Sequence, residues 1–329
     1  MIESCNLYPL KFKPIFQEKI WGGEKINTIL NKNYSPLNNC GETWEISSVE
    51  GNISEVSEGE FKGEKLDYLI EKFKDQLVGE NVFEKFGNAL PLLIKFLDAN
   101  ADLSIQVHPN DEIATRRHKT FGKTEMWYVL QADEHAKINV GFNQTLTKND
   151  YLEHLNNGTI TDILNYESVQ TGDVFFLPAG RIHYIGKGCL IAEIQQTSDI
   201  TYRIYDFDRV DKFGNKRELH TELALDCLDF SLEKDYKTSY TEKINNPSKL
   251  IHCDYFNTNF LQIKNTVTRN YDKIDSFVIY IVVEGNLTIS TNNSTTESKL
   301  GDCILIPACL KDIELNSENG AKLIEVWVD

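Results

Sequence analysis

The chain has 329 residues, 41% of them hydrophobic and 26% charged. That balance supplies apolar surface for a core and excludes a disordered or collagen-like chain. Its formal net charge of −16 repels phosphate backbones and anionic lipid, so no nucleic-acid or membrane partner is expected, and an anionic substrate needs cations placed locally.

From Tyr8 to Gly51, short apolar pieces are broken by Pro9, Pro14, Gly22-Gly23, Pro36 and Gly41. This predicts strands and turns. Over Lys62 to Phe86 the period changes. Leu66, Leu69, Ile70, Phe73 and Leu77 fall on one helical face, with Glu64, Lys65, Glu71, Lys72 and Lys74 opposite, which predicts one or two helices. From Pro91 strands return in PLLIKFLDA, LSIQVHP, EMWYVLQA, VFFLPA and LIAEIQQ. A helical segment interrupts them at about 148–165, and Leu219 to Leu228 is a third candidate. Ser231 to Lys249 is polar and aperiodic, as a linker would be. The strands FVIYIVVEGNLTIS, GDCILIPA and AKLIEVWVD follow.

This last part repeats an earlier one. Tyr128 to Asp133 resembles Tyr280 to Gly285, and Gly172 to Ala179 resembles Gly301 to Ala308, in the same order. The expected architecture is mainly β: two cupin-type, jelly-roll β-barrels with a small helical portion. The expected domains are 1–230, carrying inserted helices at about 62–86 and 148–165, a linker at 231–249, and a degenerate second domain at 250–329.

The seven cysteines (Cys5, Cys40, Cys189, Cys227, Cys253, Cys303, Cys309) are odd in number, scattered and free of C-x-x-C. Reduced core thiols are expected rather than a disulfide framework or a thiolate zinc site. The opening MIESCNLYPLKFKP lacks the apolar stretch of a signal peptide. No run approaches the roughly 18 apolar residues of a membrane helix. A cytoplasmic location is the expectation.

The sharpest local pattern joins Gly172, Pro178, Gly180 and His183. The glycines and proline set turns at both ends of a strand, and His183 then enters the next one. This resembles the second motif of the cupin superfamily, whose small double-sheet barrels hold a metal inside. The partners come from LSIQVHP, where Gln106 and His108 stand two apart and so share one strand face. Glu125 opens the strand EMWYVL. An amide oxygen, two imidazoles and a carboxylate suit a Zn²⁺ site with an open position; Fe²⁺, Mn²⁺ or Co²⁺ would also fit. Taken singly, His183 could be a satisfied core histidine, Gln106 a solvated strand residue and Glu125 an edge carboxylate. Their joint placement favours ligation. In the C-terminal copy Cys309 and Asp312 replace the glycine and histidine, so no metal is expected there. The other histidines (His118, His135, His154, His220, His252) have no such partners.

The segments YPLKFKPIFQEKIWGG, LPLLIKFLDANADLSIQVHPND, GKTEMWYVL, GDVFFLPAGRIHYIGKG and SDITYRIYDFDR resemble those of the class I phosphomannose isomerases, most closely the shorter bacterial form. The resemblance is good over about residues 7 to 230 and looser beyond. It implies interconversion of mannose 6-phosphate and fructose 6-phosphate through a cis-enediolate, with one bound zinc per chain. It matches the zinc ligands to Gln106, His108, Glu125 and His183, the active-site arginine to Arg203, and the active-site lysines to Lys95 and Lys123.

The residues themselves leave these cations open. Lys95, inside LPLLIKFL, either finds a partner or cavity or snorkels out at the rim. Lys123 faces a cavity or is a solvated loop lysine. Arg203 pairs with Asp199, Asp206 or Asp208, or meets a phosphate or enediolate oxygen. Lys95 and Lys123 are candidates for phosphate recognition or for moving protons, since a lysine close to a bound cation can have its pKa lowered. Arg116-Arg117-His118-Lys119 reads as a solvated loop, with a phosphate-facing lid as the minor alternative. Two other functions fit the scaffold: a cupin metal oxygenase, and a non-catalytic sugar-phosphate-binding protein. The oligomeric state is not expressed in the sequence.

Overall fold

The computed structural model describes residues 6–211 and 213–329. Two β-rich compact units are built from interleaved parts of the chain. One comprises Phe16–Thr43 and Lys95–Thr238; the other comprises the described residues up to Ile15, then Trp44–Ile94 and Ser239–Asp329. This differs from a linear split near residue 230. The helices expected at 62–86 belong to the same unit as the C-terminal strands. The amides of Ala308 and Cys309 donate to the carbonyls of Leu77 and Gln76, both at 2.9 Å. The Asp275 carboxylate accepts from the amides of Glu80 and Asn81, each at 3.0 Å. The segment is three short helices, Leu66–Phe73, Asp75–Val78 and Glu80–Phe86. They are separated where Lys74 (φ 47°) and Gly79 (φ 94°) enter left-handed backbone that no helix continues through.

The first unit is organised on two sheets, some of whose strands run past its bounds. The five-stranded sheet runs Leu164–Ser168, Lys137–Phe142, His183–Ile185, Ile105–Val107, Tyr202–Tyr205. The six-stranded sheet runs Val174–Leu177, Glu125–Ala132, Cys189–Gln196, Leu92–Ala99, Glu42–Ile46, Ile15–Gln17. The crossovers are those of a jelly roll. Each sheet keeps two ends, so the unit is an open cupin β-sandwich, the double-sheet jelly roll that was expected. Short edge strands such as Ile15–Gln17 stand where closure would need long paired ones.

An apolar layer that includes Leu97, Trp127, Val129, Ile138, Phe175, Ile185 and Ile191 fills the space between the sheets. The two-residue period of a strand explains how the five-stranded sheet serves two layers. Ile105 and Val107 point outward and pack with Tyr151, Ile160, Ile163 and Ala224, leaving Gln106 on the inward face. The covering helix Lys148–Asn156 is closed at its start by a capping box between Thr147 and Asp150. It stops earlier than the period suggests, because Gly158 turns the chain at φ 69°. A 3₁₀ turn, Ile160–Ile163, then leads into the strand starting at Leu164. The third helix is only Thr221–Leu225.

The second unit carries a sheet ordered Leu10–Lys11, Cys303–Ile306, Val278–Ser290, Asp312–Trp327, Asn257–Asn270, Ser248–His252, with Thr295–Lys299 paired to Val278–Ser290. The internal repeat is structural. Val129 exchanges amide hydrogen bonds with Asp173 and Gly172, and Val282 does so with Asp302 and Gly301, all at 2.9 Å. The register is one residue off the sequence match: Trp127 and Tyr280 are equivalent, not Tyr128 and Tyr280.

Cys40, Cys189, Cys227, Cys253 and Cys303 are thiols outside any disulfide. Cys5 lies outside the described residues. Among the described residues no helix is long and apolar enough to cross a membrane.

Candidate metal centre and its cavity

The two sheets of the first unit contribute different chemistry to one space. Gln106, His183 and Arg203 come from the five-stranded sheet, and His108 directly follows its strand Ile105–Val107. Glu125, Lys95 and Glu193 come from the six-stranded sheet. Cross-strand register sets the neighbours: Gln106 lies opposite both His183 and Arg203.

Ligand atoms of His108, Glu125 and His183 lie within 4.8 Å of one another, and all three residues are buried. His183 Nε2 is 3.2 Å from Glu125 Oε1, and His108 Nε2 is 3.7 Å from Glu125 Oε2. Both imidazoles are oriented through their other nitrogen. His108 Nδ1 donates to the Ile200 carbonyl at 2.9 Å, and His183 Nδ1 donates to the Arg181 carbonyl at 2.8 Å. This leaves each Nε2 lone pair facing the centre, as metal-bound histidines are held. Burial, then the Lys123 charge, holds His108 well below the usual histidine range. Burial likewise depresses His183, to about 3, with the Lys123 and Arg181 charges adding to it and the Arg181 carbonyl opposing. The Gln106 amide stands 3.3 Å from His183 Nε2. Rotated by half a turn, it presents its oxygen to the same point.

His108 Nε2 and both Glu125 oxygens are buried without a hydrogen-bond partner. The Lys123 ammonium lies 3.4 Å from Glu125 Oε2; the ligand atoms left unsatisfied are costly unless a further cation completes them. Burial and the neighbouring Glu193 charge push the Glu125 carboxyl up to about 8. The donor set therefore fits a divalent ion with mixed nitrogen and oxygen ligands.

Beside the centre, with Gln106 and Lys123 in its lining, lies a cavity of about 290 Å³, whose apolar wall includes Leu97, Leu103, Trp127 and Ile185. Its charged lining is Lys19, Lys95, Lys123, Arg203 and Arg217 against Glu42, Glu193 and Asp199. Five cations to three carboxylates reverse the sign of the whole molecule locally. Lys95 is 3% exposed and does not snorkel. Its ammonium sits 3.5 Å from Glu193 and 3.7 Å from Glu42. Lys123 is also buried, 3.4 Å from Glu125. Burial opposes its charge, but Glu125, Glu193, Asp199 and Glu42 outweigh it, so its pKa is raised. Arg203 lines the cavity and donates from Nη1 to the Glu218 carbonyl at 2.9 Å.

Glu42, Glu193, Asp199, Lys19 and Arg217 were not visible as site residues from sequence. A signal existed for Glu193, a carboxylate in the midst of the wholly buried strand Cys189–Gln196. Arg116 to His118 form the end of a helix, Asp111–His118, rather than a loop, and Arg117 bonds Asp226 and the Leu223 carbonyl, away from the cavity lining. A larger groove, about 770 Å³, belongs to the second unit and contains none of the candidate residues.

A jelly roll with a buried imidazole–carboxylate centre between its sheets defines a cupin with a ligand set for a divalent metal. Comparison with known proteins specifies it further. Residues 9–143 match the family model "Phosphomannose isomerase type I, catalytic domain", and residues 246–327 match "Mannose-6-phosphate isomerase, cupin domain". The chain is 35% identical to the mannose-6-phosphate isomerase ManA of Bacillus subtilis over 93% of this chain and 95% of that protein. It is 32% identical to the mannose-6-phosphate isomerase of Streptococcus mutans over 94% and 96%. The crystal structure of the mannose 6-phosphate isomerase from Bacillus subtilis superposes with a TM-score of 0.86 at 32% identity, covering 97% of this chain and 99% of that one. The chain belongs to the type I phosphomannose isomerase family.

Proposed function

We propose that the chain is a mannose-6-phosphate isomerase, interconverting mannose 6-phosphate and fructose 6-phosphate through a cis-enediolate, with one zinc ion held by Gln106, His108, Glu125 and His183. The observation that carries this reading is the cluster of buried ligand atoms of His108, Glu125 and His183, beside a cation-rich cavity whose lining includes Gln106 and Lys123. Bound there, zinc would supply Lewis-acid polarisation of substrate oxygens without redox chemistry.

The chain's own residues do the rest. The Arg203 guanidinium, beside Gln106 in register, stabilises negative charge developing on the oxygens of C1 and C2. Lys123, next to Glu125, donates to the same oxygens. Lys95 lies between Glu42 and Glu193 and links the carboxylates through which the proton leaving one carbon is held before its return to the other. The buried walls exclude water while it is in transit.

A coupled isomerase assay on metal-stripped and zinc-restored protein tests this. Activity is expected to vanish and return with the metal, and His183→Ala is expected to lose both metal and turnover. Normal turnover in that variant would defeat the assignment. Binding of mannose 6-phosphate without solvent-proton exchange at C1 or C2 would instead indicate a non-catalytic binder.

A further inference from the structure

Arg217 lines the cavity and has no task in the reaction as described above. Three guanidiniums, those of Arg203, Arg209 and Arg217, converge near one carboxylate, Asp206. With the exposed Glu218 carboxylate also acting on Arg203, the corner holds 3 − 2 = 1 net positive charge. Burial alone would raise the Asp206 carboxyl, but hydrogen bonds from Arg217 and Arg209 keep it below the usual range.

The three arginines are not equivalent. Arg209 is consumed by the protein: Nε donates to the Asp206 carbonyl at 3.2 Å, Nη1 to the Asp102 carbonyl and Nη2 to the Asp206 carboxylate. Arg203 lies deeper, opposite Gln106, with Nε buried and unpartnered. Arg217 places Nε on Asp206 Oδ2 at 2.7 Å and Nη2 on Oδ1. Its Nη1 meets no acceptor among the described residues, and its side chain is 27% exposed. One edge of its planar fork is fixed by a carboxylate and the other is presented to the cavity mouth.

The ends of an open-chain hexose 6-phosphate match this gradient. The reacting carbons C1 and C2 must reach the centre, where Glu125 is fully buried and His108 is 2% exposed. The phosphate is at the far end of the carbon chain and keeps part of its hydration, which suits the more open arginine. We infer that Arg217, oriented by Asp206, binds the phosphate of the hexose phosphate, leaving Arg203 to the oxygens of the reacting carbons. This rests on the isomerase reading above.

Two measurements on the zinc-loaded protein test it: steady-state kinetics with mannose 6-phosphate and with unphosphorylated mannose, and calorimetric binding of inorganic phosphate. Arg217→Ala is expected to raise KM for mannose 6-phosphate and weaken phosphate binding by at least about tenfold. Its kcat is expected to hold within about threefold, and its preference for the phosphorylated sugar to fall. Arg217→Lys, which keeps the charge but not the fork, falls between; Asp206→Asn shifts KM in the same direction. Zinc content and the unfolding midpoint report folding. If Arg217→Ala fails to fold, the other two variants decide. An unchanged KM and phosphate affinity, or a fall in kcat alone, overturns the assignment. If the wild type shows no turnover, the isomerase reading fails, while the phosphate affinities still settle the role of Arg217.

Discussion

The two β-units put a carboxylate at the same place and use it in opposite ways. Glu193 lies opposite Trp127 in the first unit, and Glu325 lies opposite Tyr280, its equivalent, in the second. Glu193 takes one hydrogen bond, from Trp127 Nε1 at 2.8 Å, and its other oxygen has only the Lys95 ammonium, at 3.5 Å, beside the cavity. Glu325 is saturated. Arg269 donates through Nε and Nη2 at 2.8–3.0 Å, Tyr271 at 2.5 Å and Asn259 at 2.9 Å, while Tyr271 also meets Tyr280. The position of Glu125 is taken by Val278. One scaffold thus leaves polar atoms unpaired to hold ligands and, in the other unit, satisfies them internally, which turns a cavity into a core.

The largest break in this comparison is to write the second unit into the first. Glu125→Val copies Val278, and we expect metal content and turnover to fall to background while the fold persists, as read by elemental analysis, assay and circular dichroism. Next, Arg269→Ala strands Glu325 in the second interior. Denaturant unfolding is expected to show a loss of about 3 kcal/mol, because an unpaired buried charge costs more than the pair contributed. Changing both, Arg269→Met with Glu325→Leu, should recover most of that loss.

A smaller effect sharpens the contrast through pH. Burial raises the Asp98 carboxyl of the first unit to about 6, against hydrogen bonds from the amides of Lys25 and Ile26. The folded state therefore binds a proton that the unfolded state releases at lower pH. Stability from this group is greatest below the unfolded value and is lost as pH rises to about 6. Asp98→Asn should flatten that slope, by about 2 kcal/mol between pH 4 and 7, in unfolding measured across pH. The smallest change is Tyr280→Phe, which removes one hydroxyl from the saturated network and should cost about 1 kcal/mol.

The parts of the molecule legible in sequence are those written by local rules. Alternation put Gln106 inward between Ile105 and Val107, and the turn residues Gly172, Pro178 and Gly180 located the strand entry of His183. Relations between strands were not legible. The repeat was matched on the shared tyrosines Tyr128 and Tyr280, yet backbone pairing aligns Trp127 with Tyr280. A one-residue slip leaves composition unchanged but reverses every face. The helices at 66–86 were legible as helices but not as partners of the C-terminal strands, because the contacts at Ala308 and Asp275 involve backbone groups and remote residues. Arg217 was hidden for a similar reason, since only the fold brings it to Asp206.

The main-chain carbonyls that aim His108 and His183 carry a consequence for divergence. The oxygens of Ile200 and Arg181 are supplied by whatever amino acid occupies those positions. Drift there can alter the side chains and still leave both rings pointed as they are, so this aiming is inherited with the chain trace itself. Glu193 has no such insurance: its anchor is an indole, and a single codon can remove it.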